Sequence, residues 1–583
     1  MKLRRGGHRV LPGSHVAILV GDMLLAFFVG SSLRSTERRR EERIERRYFR
    51  AFYLRESRNR LRLHFYLYFF RRIGHGRNRT ATMSDRLLIT NARIVTQDPA
   101  NPCAVAMRIF GGRIELLYTA ASDMPDVPAA GDELVDCDGA TIIPGFADAH
   151  CHPLALGAYL SAIDCGPGAV RSIPEIIERI RGGAPPRTTG WVRAVGYDEL
   201  LLDEKRHPTR HDLDKAFASR PVMLTHGGGH AVVLNSLAMS EVRLAAATPE
   251  PPGGTIDRDA VTGEPTGLLL EMSDWLAARL PAATRGEQLG RLERAAEVLL
   301  AAGVTSVTDA GHRNDGDRVS LYMEAGRTRF PLHTSVMLRP GVDRCEIGSM
   351  EGVRPGLTKL MVTVSAGRLH PDSGELRELV EAEAAAGSPG VAIHAVEREA
   401  ILAAAEALRS IRGMVAKSGF VMRIEHAAEA PPEVVAAIAE SGAAVVTQPG
   451  FIYTRGDRYL AAATEGGPAP DNLYPLRALI DSGVPIGVGS DAPYGTWRPL
   501  EVLRAAVERL AASGRVVGAS QAISVGEALG LYGGSLRAGV RADFVVLSGN
   551  PLRTEPSRLK EIEVIATYVG GGRVWPGAGG HLP

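Results

Sequence analysis

The sequence predicts an α/β protein built around a (β/α)8 barrel of parallel strands. One observation is an alternation of segments: the amphipathic residues 375–386 precede the apolar run 391–394, and residues 432–441 precede the run 443–446. This alternation is typical of a parallel sheet with crossover helices. A second observation is that four strand-like runs end on histidine or aspartate. The C-terminal ends of the strands are where such barrels place their functional groups.

The first of these runs, residues 142–146, is followed by His150 and His152. On an extended strand, residues i and i+2 point to the same face, so the two imidazoles converge. Neutral imidazoles are good ligands for divalent metals. Cys151 lies between them, would point to the opposite face, and is interpreted as a packing residue.

Three later apolar runs end in the same way, on His394, His426 and Asp491. Each of these side chains taken alone is most simply a hydrogen-bonded core residue. Parallel strands of a barrel bring their C-terminal ends to one mouth, however, so together they predict a site for one or two divalent cations.

The sequence also resembles a known family, the amidohydrolase superfamily, and more narrowly the YtcJ-like amidohydrolases (the amidohydrolase-3 type, which includes N-substituted formamide deformylases). The resemblance extends from about Ser84 to the C-terminus. The stretches that carry it are residues 144–152, 230–236, 265–271, 303–309, 393–395, 425–427, 448–449, 489–493 and 539–547.

The resemblance implies a domain arrangement. Residues 84–143 and 531–583, from the two ends of the catalytic region, should form a small β-sandwich beside a metal-dependent TIM-like barrel of residues 144–530. Within the barrel, residues from about 175 to 285 are too many for a simple crossover connection. We interpret them as an inserted subdomain that caps the mouth.

The resemblance further implies that Lys359 is carboxylated on its amine and bridges two metals. A buried lysine amine loses its charge readily, and a carbamate offers two oxygens. The alternative is an ordinary lysine at a strand edge, because family members often follow this lysine with Asp-Gly, which is absent here. An unmodified lysine would favour a single metal. The expected ion is zinc, and the complete predicted ligand set is His150, His152, Lys359, His394, His426 and Asp491.

Two residues are predicted to act in catalysis. A bound metal lowers the pKa of its water towards ~7, and Asp491 would take a proton from that water and pass it to the leaving nitrogen. His230 matches a histidine of the family in the inserted region and is a candidate for binding the substrate carbonyl or capping the site, with a plain loop histidine as the alternative. Asn235, Glu271 and Gln448 are weaker candidates, since each could merely satisfy buried backbone groups.

The predicted function is therefore metal-dependent hydrolysis of a C–N bond in an amide, N-formyl or cyclic amide compound. Two alternatives stay open. One is a catalytically silent regulatory or binding protein on the same fold, because fold does not fix function. The other is a hydrolase of another carbonyl compound or of a phosphoester, since the same metal centre would serve.

Composition limits the partners and the compartment. The chain has 583 residues and five cysteines, which are odd in number and show no C-x-x-C spacing. A disulfide framework is therefore not expected, and we expect a cytoplasmic location. The expected partner is a small-molecule substrate. No nucleic acid is expected, no membrane is expected for residues 83–583, and a homodimer is left open.

Residues 1–82 differ in composition from the remainder. They carry 20 basic and six acidic residues, a net charge of +14, in a chain whose total is +2. A membrane anchor or export signal, a nucleic-acid-binding arm and an over-extended start compete as interpretations. We favour the last, with Met83 as the initiator, because the family-like segment begins directly after it.

A chain that begins at Met83 should therefore keep the melting temperature and metal content of the full-length protein. Thermal unfolding and elemental analysis of the two chains, side by side, test this. Aggregation or a large loss of stability in the shorter chain would show that residues 1–82 pack on the catalytic region.

Overall fold

The computed structural model describes residues 86–576 except 126–130, 185–189, 252, 366 and 417. The prediction for residues 1–82 lies outside the described residues. Within the described ranges, none of the helices combines the length and apolar character that crossing a bilayer requires.

The described strands, numbered in chain order, are β1 Arg86–Thr90, β2 Arg93–Val95, β3 Cys103–Ala104, β4 Ala106–Phe110, β5 Arg113–Tyr118, β6 Glu133–Asp136, β7 Thr141–Pro144, β8 Phe146–Cys151, β9 Ile163–Asp164, β10 Val192–Tyr197, β11 Val222–His226, β12 Ala231–Leu234, β13 Thr255–Arg258, β14 Pro265–Leu270, β15 Val304–Asp309, β16 His333–Leu338, β17 Val353–Met361, β18 Thr363–Ser365, β19 Arg368–His370, β20 Gly390–Ala395, β21 Val421–His426, β22 Ala444–Thr447, β23 Ile486–Val488, β24 Phe544–Leu547, β25 Val564–Val569 and β26 Gly572–Trp575.

The described α-helices are α1 Pro153–Leu160, α2 Ile173–Gly183, α3 Arg210–Asp214, α4 Ser236–Glu241, α5 Ser273–Ala277, α6 Arg285–Ala301, α7 Gly316–Gly326, α8 Ser373–Ala385, α9 Arg398–Val415, α10 Pro432–Ser441, α11 Gly450–Thr464, α12 Leu476–Asp481, α13 Pro499–Glu508 and α14 Val525–Gly530. Short 3-10 turns occupy Ala121–Asp123, Pro470–Asn472, Ala519–Gln521, Pro551–Arg553 and Pro556–Glu561.

Eight strands form the central sheet in the order β23-β22-β21-β20-β17-β16-β15-β8. Every neighbouring pair in it is parallel, and helices such as α9 and α10 connect successive strands. This arrangement confirms the predicted (β/α)8 barrel.

The first strand of the barrel, β8, and the last, β23, are joined by hydrogen bonds between β8 and its following residue and the loop after β23, which we call the seam. Ser490 N–H donates to Oδ1 of Asp148 at 2.9 Å. Asp491 N–H donates to the carbonyl of His150 at 2.8 Å, and His152 N–H donates to the carbonyl of Ala492 at 3.0 Å. The first and last barrel strands are thus held together by the residues that were predicted to bind metal.

The helices cover the outer face of the barrel with apolar side chains. In α9, Ile401, Leu408 and Ile411 are fully buried and pack in one cluster with Val391 and Ile393 of β20. These residues recur at the helical spacing that a single buried stripe requires. Each large aliphatic side chain buried in this way contributes ~1.5–3 kcal/mol.

A β-sandwich formed by both ends of the catalytic region lies beside the barrel. One sheet has the order β5-β4-β1-β6, and the other has the order β26-β25-β24-β7-β2-β3 and so combines strands from both ends. The shared core includes Met107, Ile142 and Phe544, and the ring of Phe544 stacks on Tyr568 at 4.4 Å between centroids. The predicted fold class is confirmed in this respect as well.

The region between β8 and β15 contains its own six-stranded sheet, in the order β13-β14-β12-β11-β10-β9. This sheet extends from Ile163 to Leu270, whereas the sequence placed the insert at about 175–285. Its loop at residues 227–229 reaches the barrel: a Cβ added at Gly229 would lie 2.2 Å from the Tyr494 ring. Gly229 has φ +78, so glycine is needed there for both its conformation and its size.

Candidate metal centre

The six predicted ligand residues lie on strands of the barrel or directly after them. His150 is in β8, Lys359 in β17, His394 in β20 and His426 at the end of β21. His152 follows β8, and Asp491 follows β23. In register, Met361 of β17 lies opposite His394, and Ala395 of β20 lies opposite His426. Neighbouring strands therefore place these side chains at the same end of the barrel.

His150, His152 and Asp491 come together most closely, with one ligand atom of each lying within 4.8 Å of the others. Oδ1 of Asp491 is 3.1 Å from Nε2 of His152 and 3.6 Å from Nε2 of His150. The ring of His426 is 4.8 Å from that of His150 and 4.5 Å from that of His394. Four histidines and one carboxylate therefore form one continuous cluster.

Glu425 fixes the orientation of His150. The carboxylate is fully buried, and its Oε2 lies 2.5 Å from Nδ1 of His150. Arg423 donates to it from Nε at 2.7 Å and from Nη2 at 2.9 Å. Burial acts to raise the pKa of Glu425, but Arg423 and His150 outweigh it and hold that pKa well below its usual range. A charged carboxylate on Nδ1 keeps the proton there, so Nε2 presents a lone pair towards Asp491.

His426 is oriented in a similar way by Gln448, whose Oε1 lies 2.7 Å from its Nδ1. The backbone is strained both at His426, which has φ 71, and at Asp491, which has φ 53. Left-handed backbone conformations of this kind cost about 1–3 kcal/mol each in residues other than glycine. Strain at two predicted ligand positions is typical of a functional site.

Burial keeps the histidines neutral, which is the form that binds metal. It lowers the pKa of His150 to about 3 and that of His394 well below its usual value. The pKa of His426 is also lowered, again chiefly by burial. The three rings are therefore neutral at neutral pH, with one proton on each ring.

Lys359 is 3% exposed, and its Nζ has no hydrogen-bond partner among the described residues. Burial lowers the pKa of Lys359 to about 8, so this amine loses its proton more readily than an exposed lysine does. A neutral, unpartnered amine beside His150, His394 and His426 fits a carbamate bridge, because the added oxygens would satisfy both the amine and a metal. The residues present thus fit a divalent metal centre.

His230 lies outside this ligand cluster. Its Nδ1 is 3.0 Å from Oε1 of Glu271, and both side chains are more than half exposed. It follows Gly229, which contacts Tyr494, and the ring of Tyr494 is 5.9 Å from that of His152. His230 therefore lies on a loop that faces the mouth of the barrel next to the cluster.

Comparison with known proteins assigns the chain to a family. The model of the amidohydrolase family matches residues 133–575. The chain belongs to the amidohydrolase family. This confirms the resemblance to YtcJ-like amidohydrolases and supports a metal-dependent hydrolase that acts on carbon–nitrogen bonds.

Two relatives of this amidohydrolase are similar over nearly their whole length. The N-substituted formamide deformylase of Arthrobacter pascens is 30% identical over 540 residues, which cover 83% of this chain and 97% of that relative. YtcJ of Bacillus subtilis (strain 168), which is named as an amidohydrolase, is 28% identical over 491 residues, covering 75% and 90%. A solved metal-dependent hydrolase from Pyrococcus horikoshii OT3 has a TM-score of 0.65 at 22% identity, covering 81% and 99%, and it shows the fold.

The contacts of the three weaker candidates, Asn235, Glu271 and Gln448, assign them different roles. Asn235 of this amidohydrolase is structural: its amide oxygen accepts from the N–H groups of Val222 and Ala238, and its nitrogen donates to the Arg220 carbonyl. Glu271 holds His230. Gln448 bonds to a candidate ligand rather than to the backbone, a contact that the sequence analysis did not predict.

The roles of Arg423 and Glu425 were not predicted from the sequence. A signal was present, because two opposite charges stand two positions apart inside an otherwise apolar strand. In a barrel strand such positions share one face, and a buried ion pair there points into the barrel rather than towards the helices.

A second group of metal-ligand types occurs in the insert of this amidohydrolase, at Asp198, Glu199 and His226. Gly228 N–H donates to Nδ1 of His226 at 2.9 Å, so the proton of the neutral ring is on Nε2, which faces Oε2 of Glu199 at 2.9 Å. A metal on Nε2 would need that nitrogen unprotonated. Arg458 of α11 also pairs with both carboxylates. This group is therefore an ion-pair network between insert and barrel.

Proposed function

We propose that this protein hydrolyses a C–N bond in an amide, N-formyl or cyclic amide compound with the help of a bound divalent metal. The observation that carries the proposal is the convergence of His150, His152 and Asp491 on one point, next to the rings of His394 and His426 and the unpartnered amine of Lys359. The name of the Arthrobacter pascens relative supports an N-formyl compound as the first substrate class to test.

The residues that would hold the metal are those of the predicted set. Imidazole nitrogens, a carboxylate and a carbamate match the preferences of zinc. His150 and His152 would bind one ion and His394 and His426 a second, with Lys359 between them. When bound, the metal supplies a Lewis acid that polarises the substrate carbonyl and activates water.

Asp491 is the proposed proton carrier. Burial acts to raise its pKa, but the hydrogen bond from His152 lowers that pKa below the usual value. Asp491 is consequently a carboxylate at neutral pH and can accept a proton from the attacking water. The same oxygen then delivers the proton to the leaving nitrogen, which would otherwise depart as an unstable amide anion.

His230 is proposed to bind the substrate carbonyl. Glu271 holds its Nδ1, which leaves Nε2 as the second polar atom of the ring on a loop that faces the mouth. The cytoplasm remains the proposed location, in agreement with all five cysteines being free.

Metal analysis combined with a substrate screen tests the proposal. Protein produced with added zinc should hold one to two equivalents of a divalent transition metal, and it should release amine from N-formyl or N-acyl compounds. Lactones and phosphoesters in the same screen test the alternative hydrolase activities. A metal content below about a tenth of an equivalent would contradict the metal centre. Full metal content without turnover of any compound would favour the silent binding protein.

A further inference from the structure

We propose that Glu425 is a positioning residue that selects the proton position of His150, and that Arg423 in turn fixes Glu425. The proposal rests on the proposed metal centre and adds to it a pair of residues that bind no metal themselves. Glu425 lies on β21, whereas His150 lies on β8, which in the sheet pairs with β15. The contact therefore crosses the interior of the barrel.

The carboxylate of Glu425 is charged and fully buried, so its presence inside the barrel has to be explained. Burying a charge is costly unless it is paired and hydrogen-bonded, and a buried ion pair is weak evidence for added stability. Here the pair is complete, since Arg423 supplies two N–H donors to Glu425 and a third hydrogen bond, at 2.9 Å, to the carbonyl of Ala149. Both Arg423 and Glu425 thus act on the segment of β8 that carries His150.

The chemical consequence concerns the two nitrogens of His150. A carboxylate can only accept a hydrogen bond, so in the neutral ring Nδ1 carries the proton and Nε2 carries the lone pair. Histidines that bind metals usually donate their second N–H in this way, and the carboxylate partner also makes the ligating nitrogen more basic. His426 has the neutral Gln448 instead, so the two histidines are unequal donors.

Glutamine at position 425 cannot accept hydrogen bonds from both His150 and Arg423 as the carboxylate does. Glutamine offers one oxygen and one NH2 group, but the two carboxylate oxygens face donors on both sides, Nδ1–H of His150 and the guanidinium of Arg423. If the amide oxygen faces His150, the NH2 group opposes the Nε–H of Arg423. If the amide oxygen faces Arg423, the NH2 group forces the proton of His150 onto Nε2, where it blocks the metal.

The test is zinc affinity, measured by competition with a chromogenic chelator, together with a double substitution. E425Q should bind zinc about 10–100-fold more weakly than the wild type while its circular dichroism is unchanged. R423M/E425Q should recover part of that affinity, because without Arg423 the amide oxygen can stay on His150. Glu527→Gln is a control for the loss of a carboxylate that pairs with an arginine, since the partners of Glu527 are Arg477 and Ser524 and not residues of the cluster. It should bind zinc as the wild type does.

Two results would overturn the inference: zinc affinity of E425Q within about twofold of the wild type, or a double variant that binds more weakly than E425Q. A purely structural role would make the loss of zinc affinity larger in the double variant than in E425Q, rather than smaller.

The proton position is measured separately, by 15N NMR of histidine-labelled, metal-free protein, with H150N used to assign the signals. A proton on Nδ1 of His150 in the wild type, together with a shift of that proton towards Nε2 in E425Q, supports the inference. This holds even if the wild type binds no zinc, because absence of zinc binding would refute only the proposed function. Nε2–H in the wild type overturns it.

Discussion

The variant Asp491→Asn is expected to lower turnover about a hundred- to ten-thousand-fold, the typical cost of losing general base catalysis. The carboxylate lies 3.1 Å from Nε2 of His152 and 3.6 Å from Nε2 of His150, so it is placed to exchange a proton beside two predicted metal ligands. An asparagine can still approach the metal through its amide oxygen but cannot carry a proton. Steady-state kinetics on the best substrate from the screen measure the effect.

Metal content must be determined in the same Asp491→Asn sample, because weaker metal binding would add to the loss of turnover. Asp212→Asn is a suitable control: Asp212 is also a buried carboxylate, but it caps a helix of the insert and pairs with Arg206. That variant should keep its turnover. If Asp491→Asn retains both metal and near-normal turnover, Asp491 is structural and the proton moves through another group, with His230 the next residue to test.

The variant Gly489→Ala should disrupt the metal centre from the backbone side. A Cβ at this position would lie 2.6 Å from both Cβ and N of His150 and 2.8 Å from its carbonyl oxygen. Distances this short force β8 and the loop after β23 apart, and overpacking of this kind costs about 1–3 kcal/mol. We expect a lower melting temperature together with a loss of most of the bound metal.

The matched control for Gly489→Ala is Gly290→Ala. Gly290 lies within α6, and a Cβ there would meet no atom within 4 Å. The same added methyl group should therefore leave metal content unchanged and raise stability slightly, by up to about 1 kcal/mol, because alanine favours helix over glycine. Wild-type melting and metal content in Gly489→Ala would show that the seam relaxes without moving His150.

The sequence predicted the barrel and the convergence of its ligands for one physical reason. Parallel strands that alternate with helices must present all their C-terminal ends at one mouth, so histidines at those ends meet regardless of loop details. The structure brings His150, His152, His394, His426 and Asp491 together as that argument requires. Their role as metal ligands remains a prediction until metal is measured.

The partners of those ligands could not be predicted in the same way. His150 meets Glu425 across the barrel, and His426 meets Gln448, which directly follows the next strand. Periodicity shows which face of a strand a residue occupies, but it does not show which residue lies across the barrel at the same height, since this depends on the stagger of the strands. Likewise, the exposed pairing of His230 with Glu271 depends on where the insert places its loop.

The seam between the first and last barrel strands has a consequence for when the proposed metal could bind. His150 and Asp491 stand more than three hundred positions apart in the chain, and hydrogen bonds between their own segments join them. During synthesis, His150 and His152 leave the ribosome long before Asp491 exists, and until the last strand docks they have no carboxylate partner from that strand. The full set of predicted ligands is therefore complete only after almost the whole catalytic region has been made, so metal binding at this site would be a late event in the maturation of this chain.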